Sequence, residues 1–552
     1  MRRRSTKIMA SAAVAVAAGL VLAGCGAGGS SGSGAATLTI GTGGVFTESN
    51  NPFAGTSSAS ANGWRWLIYE PLVQVNGAVP TADPEPWLAS DYEWSDDFTS
   101  VTFTARDGVE WSDGEAFSAD DIAFTFNLIK DNEALNTDNV PYESVTEDGD
   151  TVTVEFDESQ FVKQASILGQ FVVPEHIWAE VDDPATYADA EPVGTGPFTF
   201  VSATSSVAKF KKNPGYWQAD KVAVEAIAYQ ALQGNDAIVN GLAAHKLDWA
   251  ASFALNQKEG FIDKDPERNH VWNVSNLGID AFVVNTAKAP FDSVYLRRAM
   301  SKVIDREKTV ELASGGVLAP VTSVTGLPQP VGDDFIDPAF AGQEFTVDVD
   351  GAKADLAEGG FTFSGDTLIA PDGTPVTMTL IDPSGWTDYL TALQVIGESL
   401  AKIGIKTSIE TPSQDAWQAA LASGEFDGTM RYSNSGPTPY DIYATYMDGT
   451  KYAPLGTEVT GNFGRFDNEG ATAALAAYRN AADEDARAAA LKTIQTVFVD
   501  EVPAIAMIAK ATTGMFTTVN FTGWPTEEDP YASPGILDRN ISKIMVTLEP
   551  VK

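Results

Sequence analysis

The chain has 552 residues, 44% of them hydrophobic and 10% aromatic, enough to build the cores of two or three domains. Its 75 Asp and Glu against 35 Lys and Arg leave a net charge of −40, which disfavours nucleic acid and anionic lipid surfaces as partners and marks a strongly solvated exterior. A single cysteine leaves no internal disulfide, so stability rests on burial and hydrogen bonding.

Arg2, Arg3, Arg4 and Lys7 precede an apolar run over 8–22, the pattern of a secretory signal. At about 15 residues the run is short for a bilayer span. It ends in Leu22-Ala23-Gly24-Cys25, which resembles the bacterial lipobox. That resemblance implies a signal peptide over 1–24, removed by cleavage, and a diacylglycerol on Cys25 that tethers the mature chain to the extracytoplasmic face of the cell membrane. Residues 25–36 then read as a flexible Gly/Ser linker. Ordered structure begins with an alternating strand over 37–40, followed by a strand over 101–104. Ser118 and Asp121 form a capping box that opens a helix through Ile122, Phe126 and Ile129. The alternation over 151–156 predicts another strand, and 294–303 and 389–403 carry helical periodicity. The Ala-rich stretch 471–498 predicts two helices broken near Asp483, and 502–508 a short apolar strand. Strands and helices interleave throughout, so the class is α/β with some α+β character.

Catalytic and metal motifs are not visible. The three histidines, His176, His245 and His270, stand far apart without ligand spacing, so no metal site is expected. No P-loop, dinucleotide fingerprint or nucleophile elbow occurs, and no cofactor is expected.

Three ordered blocks do carry a resemblance. Residues 103–126 read FTARDGVEWSDGEAFSADDIAFTF; 193–198 read VGTGPF, with KNPGYW at 212–217; and 282–306 read FVVNTAKAPFDSVYLRRAMSKVIDR. Together they resemble the signature blocks of family 5 extracytoplasmic solute-binding proteins of ABC importers. The resemblance implies a two-lobed periplasmic-binding-protein-like α/β fold (type II, cluster C) with an extra α/β domain inserted in lobe one. Lobe one would comprise 37–82, 195–282 and 511–552, the inserted domain 83–194, and lobe two 283–510. It also implies a non-enzymatic, monomeric receptor whose lobes close on a small-molecule ligand, and whose closed form is recognised by the permease subunits of an ABC importer.

For the ligand, peptide-binding members resemble one another in a lobe-two segment whose Asp pairs with the peptide ammonium. The corresponding stretch here, RYSNSGPTPY at 431–440, has no acid before Asp441. The segments around Asn50, 383–388 and 521–531 instead resemble the cello-oligosaccharide-binding branch. Sugar rings offer an apolar C–H face to flat aromatics and need amide or carboxylate partners for their hydroxyls. Trp64, Trp66, Trp386 and Trp524 are therefore the expected platforms, with Asn50, Asp388, Asn434 and Tyr432 as polar contacts. A β-linked oligosaccharide is the expected ligand, with an oligopeptide as the alternative. A more distant alternative is a surface glycoside hydrolase, which would need two facing carboxyl groups about 5–10 Å apart.

Overall fold

Two long strands organise the molecule. Asn269–Val284 and Ile505–Thr517 pair antiparallel from Asn269 with Thr517 to Phe282 with Ile505, and the register shifts between Ser275 and Ile279. In the computed structural model, residues 37–251, 257–481 and 483–552 are described; the expected signal peptide, Cys25 and the linker lie outside them.

The pair forms the middle of a ten-stranded sheet. On one side come Trp249–Ala250, Thr37–Gly43, Ala226–Leu232, Val207–Lys212 and Phe198–Ala203; on the other, Gly428–Tyr432, Thr377–Ile381 and Lys406–Glu410. The first group joins at Met515 and Phe516, the second at Asp280 to Val284, so a two-stranded ribbon containing the register shift bridges two halves. Each half has its own core. Leu38, Trp64, Phe210, Tyr229, Trp249 and Phe516 belong to the first; Phe282, Met300, Leu380, Leu393 and Met507 to the second, extended by a further cluster around Trp417, Tyr443 and Phe498. A separate four-stranded sheet, ordered Ala89–Trp94, Ser100–Ala105, Thr151–Phe156, Tyr142–Asp148, packs on Ala119–Asp131 around Phe103, Ile122 and Phe126.

Packing places two junctions differently from the expected boundaries. Phe171, Val173 and Trp178 lie in the first core rather than with the four-stranded sheet, and Leu277 and Ile279 already pack with the second half. The helix expected over 389–403 is Thr387–Ala401, and Asp483 caps the second of the two Ala-rich helices, Glu484–Glu501. The strand expected over 502–508 starts later and runs further, because Val502 takes a left-handed φ of 48° that ends the preceding helix.

The sequence blocks serve the scaffold. The Ser118 capping box forms, and the Asp121 carboxylate also accepts the Trp111 indole N–H at 3.2 Å and the Glu175 amide at 3.0 Å. Gly194 and Gly196 lie so close to the Ile68 and Leu67 carbonyls that a Cβ would sit 1.9 and 2.3 Å from them. Arg297 donates to the carbonyls of Glu501 and Val502, satisfying the end of the helix before the second long strand. Arg306 does the same for Ala506 and Ser301.

Candidate functional site

The bridging ribbon is where side chains from distant segments meet with polar groups left over. Lys510 falls in the register gap opposite the bulge at 276–278. The loop after Gly428–Tyr432 lies over this bulge: Ser435 hydroxyl reaches Asn276 at 3.3 Å, and a Cβ at Gly278 would be 2.1 Å from Ser435 Oγ. Lys510 Nζ donates to the Ser433 carbonyl at 3.2 Å and stands 5.3 Å from the Tyr432 ring.

Aromatic rings flank these groups on the side of the second core. Trp386 is half-buried, edge-on to Trp417 at 5.1 Å and to Tyr389 at 5.6 Å. Trp417 is held from behind, its indole N–H given to Thr429 Oγ1 at 2.9 Å, which in turn donates to the buried Asp382. The Arg431 guanidinium lies 4.0 Å from the Tyr432 ring and 5.4 Å from that of Trp417. Burial pushes the Asp280 carboxyl up to about 6, opposed by Lys510 and by a hydrogen bond with Tyr389.

The structure thus brings Trp386, Asp388, Tyr432 and Asn434 to one region. Tyr432 is 38% exposed, and Asp388 and Asn434 are exposed, Asp388 within electrostatic reach of Asp280. The other four candidates are inside the first core. Trp64 is fully buried and donates to Asn50 Oδ1 at 3.1 Å, while Asn50, also buried, donates to the Asp189 carbonyl. Trp66 packs against Phe171 beneath Arg65, and Trp524 stacks on Phe516 with its N–H given to the Phe521 carbonyl. These four residues have core partners on the faces a ligand would need, so the Gly- and Pro-rich settings of the tryptophans mark packing around turns.

Residues that pattern reading passed over take their place. Of the twelve tryptophans, Trp94, Trp217, Trp272 and Trp386 keep partial exposure. Trp94 and Trp217 are engaged by Phe98 and Phe156, and by Trp87. Trp272 sits in the bridging strand, paired in register with Gly514, among the polar neighbours His270, Asn273 and Ser275. That polar context was the available signal for Trp272, Lys510 and Arg431.

The segment that follows the inserted sheet's Thr151–Phe156 strand also touches the second half. Glu158 pairs with Arg479 at 3.0 Å, the Phe161 ring meets Tyr478 edge-on at 6.1 Å, and Arg487 lies 4.0 Å over Phe161. Beside them Lys163 faces Asp441, whose carboxyl burial pushes up to about 6. A groove of about 310 Å³ between Asn76, Glu85, Pro530 and Lys543 is built from the first half and the start of the insertion alone. Among the described residues no group of three His, Cys, Asp or Glu side chains is placed to hold a metal, and no helix is long and apolar enough to cross a membrane.

The family model for bacterial extracellular solute-binding proteins, family 5 (middle region), matches residues 83–454. The chain belongs to this family. As a family 5 member it is the substrate-binding receptor of an ABC importer. Protein XP55 of Streptomyces lividans is 27% identical over 413 residues, 73% of this chain and 72% of that protein. The periplasmic oligopeptide-binding protein of an oligopeptide ABC transporter from Thermotoga maritima superposes with a TM-score of 0.82 at 24% identity, covering 93% of this chain and 99% of its own. The same Thermotoga protein with mannohexaose bound superposes at 0.75. These likenesses establish the periplasmic-binding-protein-like α/β fold of the family 5 chain.

Proposed function

We propose that this family 5 receptor is a monomer anchored by a lipid on Cys25, and that it captures a β-linked, cello-oligosaccharide-like sugar between its two halves for delivery to the permease. The observation that carries the reading is the pair of partly open rings, Trp386 and Tyr432, beside Asp388, Asn434 and Asn276, with the partly open Trp272 further along the same bridging strand toward the first half. Such a surface matches the apolar face and hydroxyl rim of a sugar ring. That a protein of this fold binds mannohexaose supports it. An oligopeptide ligand is the second reading. Likeness to an oligopeptide-binding protein of Thermotoga maritima favours it, while the first acid after Arg431 is Asp441, already facing Lys163.

Thermal shift of the body from residue 37 onward separates the two. A ligand at about a hundred times its Kd adds roughly 2.7 kcal/mol of stability, so cello-oligosaccharides should raise the melting temperature where mixed peptides do not. Trp386→Ala and Trp272→Ala should each weaken sugar binding by about two- to tenfold, in line with an aromatic contact of roughly 0.5–1.5 kcal/mol. Unchanged affinity in both would remove the ring platform from the proposal. The bound sugar should be recovered intact; appearance of shorter products would favour a hydrolase. Cys25→Ala should move the protein from the membrane fraction to the medium, and retention at the membrane would count against the lipid anchor.

A further inference from the structure

We infer that the ligand carries a carboxylate, and that Arg431 with Lys510 forms its receiving site. This rests on the proposed placement of the ligand at the bridging ribbon, but not on whether that ligand is a sugar or a peptide.

The case begins with an unanswered guanidinium. Nε and Nη1 of Arg431 are buried and have no hydrogen-bond partner among the described residues. What surrounds the group is aromatic: Tyr432 at 4.0 Å, Phe463 at 5.0 Å and Trp417 at 5.4 Å from Cζ. Ring faces return part of the cost of taking a cation out of water, and an acceptor returns more. Two arginines of this half that are buried as whole residues show what a structural role looks like here. Arg297 and Arg306 each give their N–H groups to several backbone carbonyls. Among the described residues, Nε and Nη1 of Arg431 have rings and no acceptor.

The second observation is a like charge beside it. Lys510 is depressed below the usual ammonium range by burial, with Arg431 adding to the depression and Asp280 opposing it. Asp280 is shared with Tyr389, and Asp382, the carboxyl nearest Thr429, already accepts the Met430 amide and the Thr429 hydroxyl. In a chain with 75 acids and 35 bases, two cations that lie over one tyrosine ring, with their one neighbouring carboxyl shared with Tyr389, stand against the composition. A carboxylate entering beside the half-exposed Tyr432, whose ring lies against both cations, would displace that ring from the guanidinium and answer its unpartnered nitrogens and Lys510 Nζ together, forming charge-assisted hydrogen bonds.

The test uses ligand pairs that differ in one carboxylate: cellotetraose against cellotetraonic acid, and tetra-alanine amide against tetra-alanine. Isothermal titration should give a Kd at least tenfold lower for the acid member of whichever pair binds. That preference should collapse to within about twofold in Arg431→Gln and survive in part in Arg431→Lys. Equal affinity within both binding pairs would overturn the inference while leaving the receptor reading intact. A preference for the acid in the peptide pair, with no sugar binding, would uphold the inference and overturn the sugar reading. A ligand-free measurement decides the case if neither pair binds. A cation held for a ligand is a burden on the empty protein, so Arg431→Gln should melt at the same temperature as wild type or higher. A melting temperature lowered by several degrees in both Arg431→Gln and Arg431→Met would make Arg431 a structural residue and sink the proposal.

Discussion

Replacing Glu70 with alanine should destabilise the protein by roughly 3–5 kcal/mol, the scale set by about 1–3 kcal/mol for each buried group left without a partner. Glu70 is fully buried where the inserted sheet meets the first core. Its carboxylate accepts the Trp87 indole at 2.6 Å, the Tyr216 hydroxyl at 2.8 Å and the Trp217 indole at 3.2 Å. Trp87 comes from the insertion core and Tyr216 from the first core, so one side chain fastens two bodies. Alanine would strand three donors in a place water does not reach. Glu70→Gln preserves the shape but turns one acceptor into a donor that faces other donors, and it should cost less than alanine. Equilibrium urea unfolding reads both. An alanine variant within 1 kcal/mol of wild type would mean that the donors find other acceptors and that the junction does not depend on this carboxyl.

Stability should fall as pH rises from about 5 to 8. Burial pushes the carboxyls of Glu70 and Asp189 up to about 7 and that of Asp382 up to about 8, against the opposing hydrogen bonds each accepts. In the unfolded chain the same groups release their protons near pH 4. Between those limits the folded state holds more protons than the unfolded one, so the unfolding free energy decreases with rising pH across the window. Each unit of difference is worth about 1.4 kcal/mol, and three such groups make an effect of several kcal/mol. The net charge of −40 acts in the same direction, since self-repulsion grows as carboxyls ionise. Asp382→Asn separates the two causes, because it should flatten the slope above pH 6 while hardly changing the overall charge. A profile that rises toward pH 8 in wild type would mean these carboxyls are ionised in the fold, with their donors outweighing burial.

Elements whose amphipathic pattern faces one core were legible in the chain. The capping box at Ser118, the alternation through Phe156 and the break at Asp483 all declared themselves locally, and each appears in the structure. The bridging strands did not. Residues 270–276 and 510–512 alternate polar and apolar groups only loosely, because between the two halves neither face of the ribbon is wholly covered there. Their length comes from pairing with a partner more than 200 residues away, which no window reveals. The site was half legible for the same reason. Trp386, Asp388 and the 431–440 stretch were reached through family-like segments that lie at the second half of the molecule. Trp64 and Trp524 could not be told from platforms without knowing that Asn50 and Phe516 already cover them. Lys510 and Arg431 reach one region only when the bulge at 276–278 is folded.

The contact of Glu158 and Phe161 with Arg479, Tyr478 and Arg487 bears on how tightly any ligand can hold the receptor. Rotation of one half against the other about the ribbon would have to break it. A receptor that must be driven together by its cargo has its intrinsic affinity divided by the rarity of the competent state. A contact made only in the competent state would meet part of that deficit, and every 1.4 kcal/mol it held would improve the observed affinity for every cargo alike by a factor of ten, up to the point where the competent state dominates. Selectivity among cargoes would be untouched. The half-exposed ion pair in the contact weakens as ionic strength rises, so the salt dependence that comes from this contact would be common to all cargoes, and any salt effect peculiar to one cargo would belong to that cargo's own charges.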